Sequence, residues 1–245
     1  MIFDEMQDLN FLYKSWKLIF ASGALSLLLS TIIILFALKK LVPLFERIHK
    51  NRLRDQHDEP IPNIGGLGLM GSMFLTIVVL WNIPFDIEIP HFQTVNQIRF
   101  FGLIIGGLLA WSLGFVDDLF KISARWKLLG QFVLAIFAIQ TGFAIEHLKG
   151  PFFQEIDLGF MVWPITILWV VTIMNAINLI DGLDGLAGGI VITVLITLGV
   201  ILWSSGSLPL LLVIMSLFGA VIGFLLFNRP PAIIFMGDSG SQFLG

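Results

Sequence analysis

Seven runs of mostly apolar residues alternate with polar connections along the chain. A helix needs about 20 such residues to cross a bilayer, and most of the runs are near that length. They lie near Leu18–Leu38, Ile64–Trp81, Phe100–Phe115, Leu128–Ile145, Met161–Leu179, Leu186–Trp203 and Leu208–Phe227. The pattern predicts an all-α, polytopic membrane helix bundle in a single domain over residues 1–245, with an amphipathic or irregular lead-in over residues 1–17.

The composition narrows the function classes further. Of the 245 residues, 57% are hydrophobic and only 13% are charged, and the mean hydropathy is +0.93. Soluble domains carry about 25% charged residues, so an ordinary soluble enzyme and a disordered protein are excluded. The net charge of −3 offers no basic surface to nucleic acid. The chain has no cysteine, which excludes thiolate nucleophiles and cysteine-bound zinc.

The distribution of Lys and Arg predicts the orientation of the bundle. Ten of the 14 basic residues fall in the loops after the first, third, fifth and seventh runs, and four fall on the other side. Cytoplasmic loops of membrane proteins carry the excess of Lys and Arg. We therefore expect these loops in the cytoplasm and the N-terminus outside, in a multi-pass protein of the cell inner (plasma) membrane.

The polar and glycine-rich motifs of the chain all fall on this predicted cytoplasmic face. They are Pro60–Gly66, Phe115–Asp118, Asn178–Gly185, and Phe227–Ala232 followed by Gly237–Gly240. Acidic residues of the opposite loops lie in no such arrangement. The convergence of four motifs on one face predicts a functional site that is open to the cytoplasm.

Adjacent carboxylates at Asp117 and Asp118 end the third run. Two such groups repel each other at a membrane interface, and a divalent cation relieves the repulsion. Mg²⁺ takes oxygen ligands and needs only one or two carboxylates beside substrate phosphates. The alternative is a solvated helix end, with Asp117 paired to Lys121 one turn later.

A second polar group recurs every three residues, at Asn175, Asn178, Asp181 and Asp184, among glycines that we expect to end the helix. Polar groups in membrane segments face a cavity or a partner. Hydrogen bonding between helices would explain the asparagines alone. It does not explain the aspartates, so this stripe favours a site.

Three further features complete the candidate chemistry. Asp238 lies between glycines that let backbone amides approach an anion, although a turn with Asp238 as N-cap is the simpler alternative. Lys121 and Lys127 stand near the carboxylates and could hold a pyrophosphate, although juxtamembrane charge also fixes topology. Phe235 could stack on a base, or could be an interfacial aromatic residue. Together these groups predict Mg²⁺-assisted handling of a phosphorylated substrate beside a lipid.

Several spaced motifs, in this order, resemble the polyprenyl-phosphate N-acetylhexosamine-1-phosphate transferases, the MraY-like and WecA/TagO-like enzymes of glycosyltransferase family 4. They are GFVDD at Gly114–Asp118, KLLGQ at Lys127–Gln131, NAINLIDGLDGLAGG at Asn175–Gly189, FNRPPA at Phe227–Ala232 and FMGDSGS at Phe235–Ser241. The resemblance extends from Pro60 to Gly245.

The resemblance implies transfer of a sugar-1-phosphate from a UDP-N-acetylhexosamine to undecaprenyl phosphate, with release of UMP and with Mg²⁺, or Mn²⁺, as cofactor. It also implies a role for each matching position. Asp238 and Asn178 correspond to metal ligands. Asp117, Asp118 and Asp181 correspond to catalytic carboxylates. The substrate-binding positions are Asp184 and Phe235 for uracil, Asn228 and Lys127 near the pyrophosphate, and Lys121 as an assisting cation.

The short connection from Asp118 to Lys127 is similar to the WecA/TagO type and favours UDP-N-acetylglucosamine. A UDP-MurNAc-pentapeptide transferase of the MraY type is the alternative within the family, and a membrane transporter is the alternative outside it. Relatives carry a Lys where this chain has Asp55, and they continue beyond the position of Gly245. We therefore expect a truncated form that is inactive as it stands. A homodimer is a further expectation, and nucleic acid is not an expected partner.

Overall fold

The computed structural model describes residues 2–42, 61–82, 94–150, 153–205 and 207–245. The helices are α1 (Ile2–Phe36), α2 (Gly65–Asn82), α3 (Thr94–Phe120), α4 (Ala124–Gln140), α5 (Val162–Ile180), α6 (Leu186–Ser204), α7 (Leu208–Asn228) and α8 (Gly237–Leu244). A turn of π-helix over Ala37–Leu41 extends α1, and a 3-10 turn over Gly159–Met161 precedes α5. The basic residues from Arg47 to Arg54, together with Asp55, lie outside the described residues.

The predicted all-α membrane fold is confirmed. Within the described part of the chain, six helices are long and apolar enough to span a membrane. The fourth predicted run, Leu128–Ile145, falls on α4, which has 17 residues and is the shortest of the seven corresponding helices. The chain is therefore a multi-pass membrane protein, and the count of seven spans is approximate.

The structure adds two local features to the predicted spans. Helix α1 already begins at Ile2, so most of the predicted lead-in is helical. Between α4 and α5 the chain forms an antiparallel hairpin of β1 (His147–Gly150) and β2 (Phe153–Asp157), with His147 opposite Asp157. These strands alternate too briefly to stand out from the apolar runs on either side.

The described residues form two compact units, and each unit joins separate segments of the chain. The first comprises Met1–His91 and Leu183–Met236, and the second comprises Phe92–Gly182 and Gly237–Gly245. In the first unit, α1 packs on α2 and α7, and α7 also packs on α2 and α6. In the second unit, α3 packs on α4 and α8, and α5 packs on α4 and α8.

The first unit depends on close approach of α1 and α7. A Cβ atom placed on Gly219 would lie 2.0 Å from the carbonyl oxygen of Gly23, so no larger residue fits there. The Ser30 hydroxyl donates a hydrogen bond of 3.0 Å to the carbonyl of Ala220 across the same interface. Small residues allow such packing in membranes because dispersion contacts, rather than the hydrophobic effect, hold the helices together.

Candidate active site in the second unit

Four helices of the second unit bring polar side chains together at their ends. Asp117 and Asp118 lie in the last turn of α3, and Lys127 lies in the first turn of α4. Asn178 lies in the last turn of α5, and Asp238 lies in the first turn of α8. The predicted meeting of carboxylates that are far apart in sequence is therefore present within this unit.

The ammonium group of Lys127 is the centre of this arrangement. Its Nζ lies 2.8 Å from Asp117 Oδ2, 2.5 Å from Asp238 Oδ1 and 3.5 Å from Asn178 Oδ1. Asn178 Nδ2 donates a further hydrogen bond of 2.7 Å to Asp238 Oδ1. We call Asp117, Lys127, Asn178 and Asp238 the Lys127 cluster. Three oxygen atoms from three helices thus point at one cation.

Asp118 has a different set of partners from its neighbour. Its two carboxylate oxygens accept hydrogen bonds of 2.9 Å each from the backbone N–H groups of Asp238 and Ser239. These N–H groups belong to the first turn of α8, which has no intrahelical acceptor for them. Asp118 therefore caps α8 and fixes the position of Asp238.

The observed contacts differ from the two simpler explanations, which are an ion pair of Asp117 with Lys121 and an N-cap role for Asp238. Asp117 forms its ion pair with Lys127 rather than with Lys121, whose backbone N–H donates to the Asp117 carbonyl. Asp238 is a helical residue whose side chain binds Lys127 and Asn178 rather than capping a helix. The carboxylates of the acidic pair are thus engaged inside the unit and are not a solvated helix end.

The pKa values of two carboxyl groups, those of Asp181 and Asp238, shift in opposite directions. Burial, together with the charges of Asp238 and Asp118, raises the pKa of Asp181 to about 7, against a hydrogen bond from the backbone of Gly237. Burial also acts to raise the pKa of Asp238, but the hydrogen bond and charge of Lys127 and the hydrogen bond of Asn178 lower it overall. Asp238 is therefore ionised at neutral pH, whereas Asp181 titrates near it.

This difference predicts how stability depends on pH without divalent cations. The pKa of Asp181 is about 7 in the folded chain, whereas an unperturbed aspartate has a pKa of 3.8. Protonation of Asp181 therefore makes its full contribution to the free energy of unfolding below pH 3.8. That contribution is lost as the pH rises through about 7. We expect the melting temperature to fall between pH 5 and pH 8, and Asp181→Asn to remove most of the fall.

The matched control is Glu146→Gln, since Glu146 is an exposed carboxylate of the same unit. Thermal unfolding in detergent, followed across this pH range for the three proteins, measures the effect. An Asp181→Asn variant with the same pH dependence as the wild type would contradict the expected titration.

The donor chemistry of the cluster fits a hard divalent cation. The convergent atoms are carboxylate and amide oxygens, which are the ligands that Mg²⁺ takes in proteins. Among the described residues, no group of three or more His, Cys, Asp or Glu side chains is arranged to hold a metal alone.

Three further predicted site residues, Asn228, Asp184 and Phe235, belong to the first unit and make structural contacts there. Asn228 is 3% exposed, and its Oδ1 accepts from the N–H of Gly185 while its Nδ2 donates to the Ile234 carbonyl, both at 2.9 Å. Asp184 Oδ2 accepts a hydrogen bond of 3.0 Å from the N–H of Ala232. These contacts join the start of α6 to the segment after α7.

Phe235 is held by its backbone beside the glycine-rich start of α2. Its N–H donates to the carbonyl of Pro62, and its carbonyl accepts from the N–H of Gly65, each at 3.0 Å. The two sequence motifs FMGDSGS and Pro60–Gly66 therefore meet as a short parallel bridge, between Asn63 and Phe235. The half-buried Phe235 ring is held in place by this pairing.

Three polar residues of the second unit were not identified as site residues from the sequence. Ser241 Oγ accepts a hydrogen bond of 2.8 Å from Asn178. Gln131 and Gln242 are almost fully buried and bond to each other. Each glutamine lies four residues after a cluster member, at Lys127 and at Asp238, so helical spacing was the signal that could have found them.

Lys121 is exposed and adopts a positive φ of 51° just after α3. Its charge acts to lower the pKa of Asp238, which places Lys121 near the cluster without a direct side-chain bond to it among the described contacts. The predicted assisting cation therefore faces solvent beside the site.

Comparison with known proteins identifies one family, and relatives whose names describe sugar-phosphate transferases. The sequence model of glycosyl transferase family 4 matches residues 100–245. The chain is 35% identical over 219 residues to a probable undecaprenyl-phosphate N-acetylglucosaminyl 1-phosphate transferase of Bacillus subtilis, which covers 89% of the chain and 58% of the relative. It is 33% identical to a phospho-N-acetylmuramoyl-pentapeptide-transferase of Listeria innocua, with 79% and 62% covered. The chain thus spans about three fifths of the length of these curated relatives.

Proposed function

The chain belongs to glycosyl transferase family 4, and on this premise we propose that it transfers N-acetylglucosamine-1-phosphate from UDP-N-acetylglucosamine to undecaprenyl phosphate and releases UMP. The family that the motifs predicted is confirmed. The proposed reaction takes place at the cytoplasmic face of the plasma membrane, in the synthesis of an envelope polysaccharide. Its cofactor is Mg²⁺, for which Mn²⁺ can substitute.

The single observation that carries this proposal is the Lys127 cluster. Three oxygen atoms surround the ammonium group of Lys127. The carboxylate of Asp118 fixes the helix that bears Asp238. Phosphoryl transfer needs charge neutralisation and positioning more than covalent help from the protein. A cluster of two carboxylates and an amide oxygen around a lysine supplies both.

Two residues of the cluster would hold the metal. Asp238 and Asn178 share a hydrogen bond and both present oxygen to the cluster centre, so they are the proposed ligands. A bound Mg²⁺ would neutralise the pyrophosphate charge as the bond to the leaving UMP breaks. Lys127 forms an ion pair with Asp238, and it is proposed to contact a pyrophosphate oxygen beside the metal.

The chemistry proposed is direct in-line displacement. An oxygen of undecaprenyl phosphate forms a bond to the β-phosphorus of the UDP-sugar, and the bond from that phosphorus to the bridging oxygen breaks to release UMP. A phosphate monoester has a second pKa of about 6, so the acceptor is largely a dianion at neutral pH and needs little help from a base. Asp181 is the carboxylate left to accept the remaining proton. Asp117, which is held by Lys127, is proposed to order the acceptor.

Direct attack also agrees with the partners of the acidic pair. Asp118 uses both carboxylate oxygens to hold backbone N–H groups, and Asp117 is 7% exposed and paired with Lys127. Neither group is free to form an aspartyl-phosphate without breaking these contacts. Incubation with UDP-sugar alone tests this point, because stoichiometric release of UMP without lipid would contradict direct attack.

Asp184 and Phe235 remain the proposed uracil-binding positions, on the strength of the family motifs. Asn228 is proposed to act by holding the backbone at Gly185 and Ile234, since both ends of its amide are engaged there. Lys121 is the proposed assisting cation at the solvent side. The named activity of the Bacillus subtilis relative supports N-acetylglucosamine as the sugar.

The test uses the product of the complete gene, purified in detergent and supplied with radiolabelled UDP-N-acetylglucosamine, undecaprenyl phosphate and Mg²⁺. The expected result is a labelled, solvent-extractable lipid formed together with UMP and abolished by chelation. A lipid product formed only with UDP-MurNAc-pentapeptide would assign the chain to the MraY type. Movement of labelled substrate across vesicles without a lipid product would favour a transporter and overturn the proposal.

A further inference from the structure

A second polar group lies one helical turn away from the Lys127 cluster. Three cluster residues each have an amide residue at helical spacing on their own helix. The pairs are Lys127 and Gln131 on α4, Asn178 and Asn175 on α5, and Asp238 and Gln242 on α8. Residues three or four apart lie on the same face of a helix, so the amides follow the same helical faces as the cluster.

The three amides form a continuous chain of hydrogen bonds between the helices. Asn175 Nδ2 donates to Gln131 Oε1 at 2.7 Å, and Gln131 Nε2 donates to Gln242 Oε1 at 2.8 Å. Asn175 Nδ2 also donates to the carbonyl of Val171 at 2.8 Å. We call Gln131, Asn175 and Gln242 the amide layer. It joins α4 to both α5 and α8.

Burial makes this layer costly for the protein to maintain. Gln131 is fully buried and Gln242 is 1% exposed. Among the residues that the structure describes, Gln242 Nε2 has no hydrogen-bond acceptor. A buried donor without a partner is unfavourable, and apolar side chains of similar size would avoid that penalty. Stability alone therefore does not explain three amides at these positions.

We propose that Gln131, Asn175 and Gln242 are positioning residues, which set the rotation and register of α4, α5 and α8 so that Asn178 and Asp238 converge on one divalent cation and Lys127 reaches the pyrophosphate beside it. This inference rests on the proposed function. Apolar contacts are non-directional, whereas buried amide hydrogen bonds have a required geometry and specify one arrangement. Displacing a catalytic group by about 1 Å can lower a rate about a hundredfold, so the register of these helices matters for activity.

The decisive variant replaces both glutamines, Gln131→Leu together with Gln242→Leu. It removes both partners of the Gln131–Gln242 bond and also the unpaired donor, while Asn175 keeps its bond to Val171. Replacing both partners by apolar groups of similar shape is nearly neutral for folding. The double variant should therefore fold and melt like the wild type, which separates positioning from stability.

The matched control is Gln140→Leu, the same substitution at an exposed position of α4. Asp238→Asn, within the cluster, serves as the reference for loss of the site. Three quantities are measured for each protein: the melting temperature without metal, the affinity for Mn²⁺ by electron paramagnetic resonance, and kcat and KM for UDP-N-acetylglucosamine in the complete gene product.

For the double variant we expect an unchanged melting temperature, Mn²⁺ affinity lowered about tenfold and kcat lowered about ten- to a hundredfold, with Gln140→Leu equal to the wild type. Wild-type affinity and kcat in a stable double variant would overturn the inference and leave the proposed function standing. A double variant that melts far below the wild type would assign the layer a structural role and would also overturn it. A wild-type protein with neither Mn²⁺ binding nor lipid product would overturn the proposed function, and the inference with it.

Discussion

Replacing Asp238 with asparagine is expected to lower kcat/KM for sugar-phosphate transfer by about a hundred- to a thousandfold, the effect typical of removing one preorganised electrostatic group. The side chain keeps its size but loses the charge that Lys127 and Asn178 contact. Asp238 is also the proposed metal ligand, so the loss of its charge should weaken Mg²⁺ binding. Initial rates at several Mg²⁺ concentrations measure both effects.

The control for this prediction is Glu146→Gln, which neutralises an exposed carboxylate outside the cluster. It should retain wild-type activity and metal dependence. The melting temperature of Asp238→Asn should fall only by a few degrees, because asparagine can still accept a hydrogen bond and Lys127 keeps its ion pair with Asp117. Near-normal transfer by Asp238→Asn would remove this residue from the mechanism.

Replacing Gly114 with alanine is expected to abolish most of the activity through the backbone rather than through a lost contact. A Cβ atom at this position of α3 would lie 2.1 Å from the carbonyl oxygen of Asp238 and 2.6 Å from Cα of Ser239. These are backbone atoms of α8, so α8 must move away from α3. Overpacking of this kind costs about 1–3 kcal/mol of stability, and it displaces Asp238 from Lys127.

Gly106→Ala is the matched control on the same helix. Its Cβ would meet only the ring of Phe137, at 3.6 Å, which is ordinary contact. We expect Gly106→Ala to melt and react like the wild type. We expect Gly114→Ala to melt several degrees lower and to lose at least about tenfold in kcat/KM, as misplacement of a catalytic group does. Equal activity of the two variants would show that the close approach of α3 and α8 is not required.

The sequence predicted the helices because each apolar run is long and ends at polar or glycine-rich residues. The break after Ile180 is an example, since α5 ends there and α6 begins at Leu186, as the glycines at 182 and 185 indicated. The hairpin of residues 147–157 and the helical start of α1 were not predicted. Neither has an apolar period strong enough to be separated from its surroundings.

The sequence singled out four of the residues that the structure brings together, but not how they pair. Spacing and residue type singled out Asp117, Lys127, Asn178 and Asp238, and the structure joins them. The simpler alternative pairs Asp117 with Lys121, because local spacing favours a residue one turn away. The true partner, Lys127, is chosen by how α4 packs on α3, which sequence spacing alone does not encode.

The role of Asp118 was also beyond local reasoning. Its carboxylate binds N–H groups that are about 120 residues away along the chain. The buried glutamines of the amide layer, Gln131 and Gln242, were missed because they are uncharged and have no charged neighbour in the sequence. Tertiary contacts of this kind have to be read from the fold, even where the chemistry of the residues is evident from the sequence.

The central claim is that one divalent cation and the pyrophosphate of a UDP-sugar meet at Asp238. Electron–nuclear double resonance of Mn²⁺ in the protein with UDP-N-acetylglucosamine bound tests it most directly, because coupling to phosphorus reports direct coordination. We predict a single bound Mn²⁺ with strong phosphorus coupling in the wild type, and loss of that signal in Asp238→Asn. A phosphorus-coupled Mn²⁺ signal that persists unchanged in Asp238→Asn would contradict the claim.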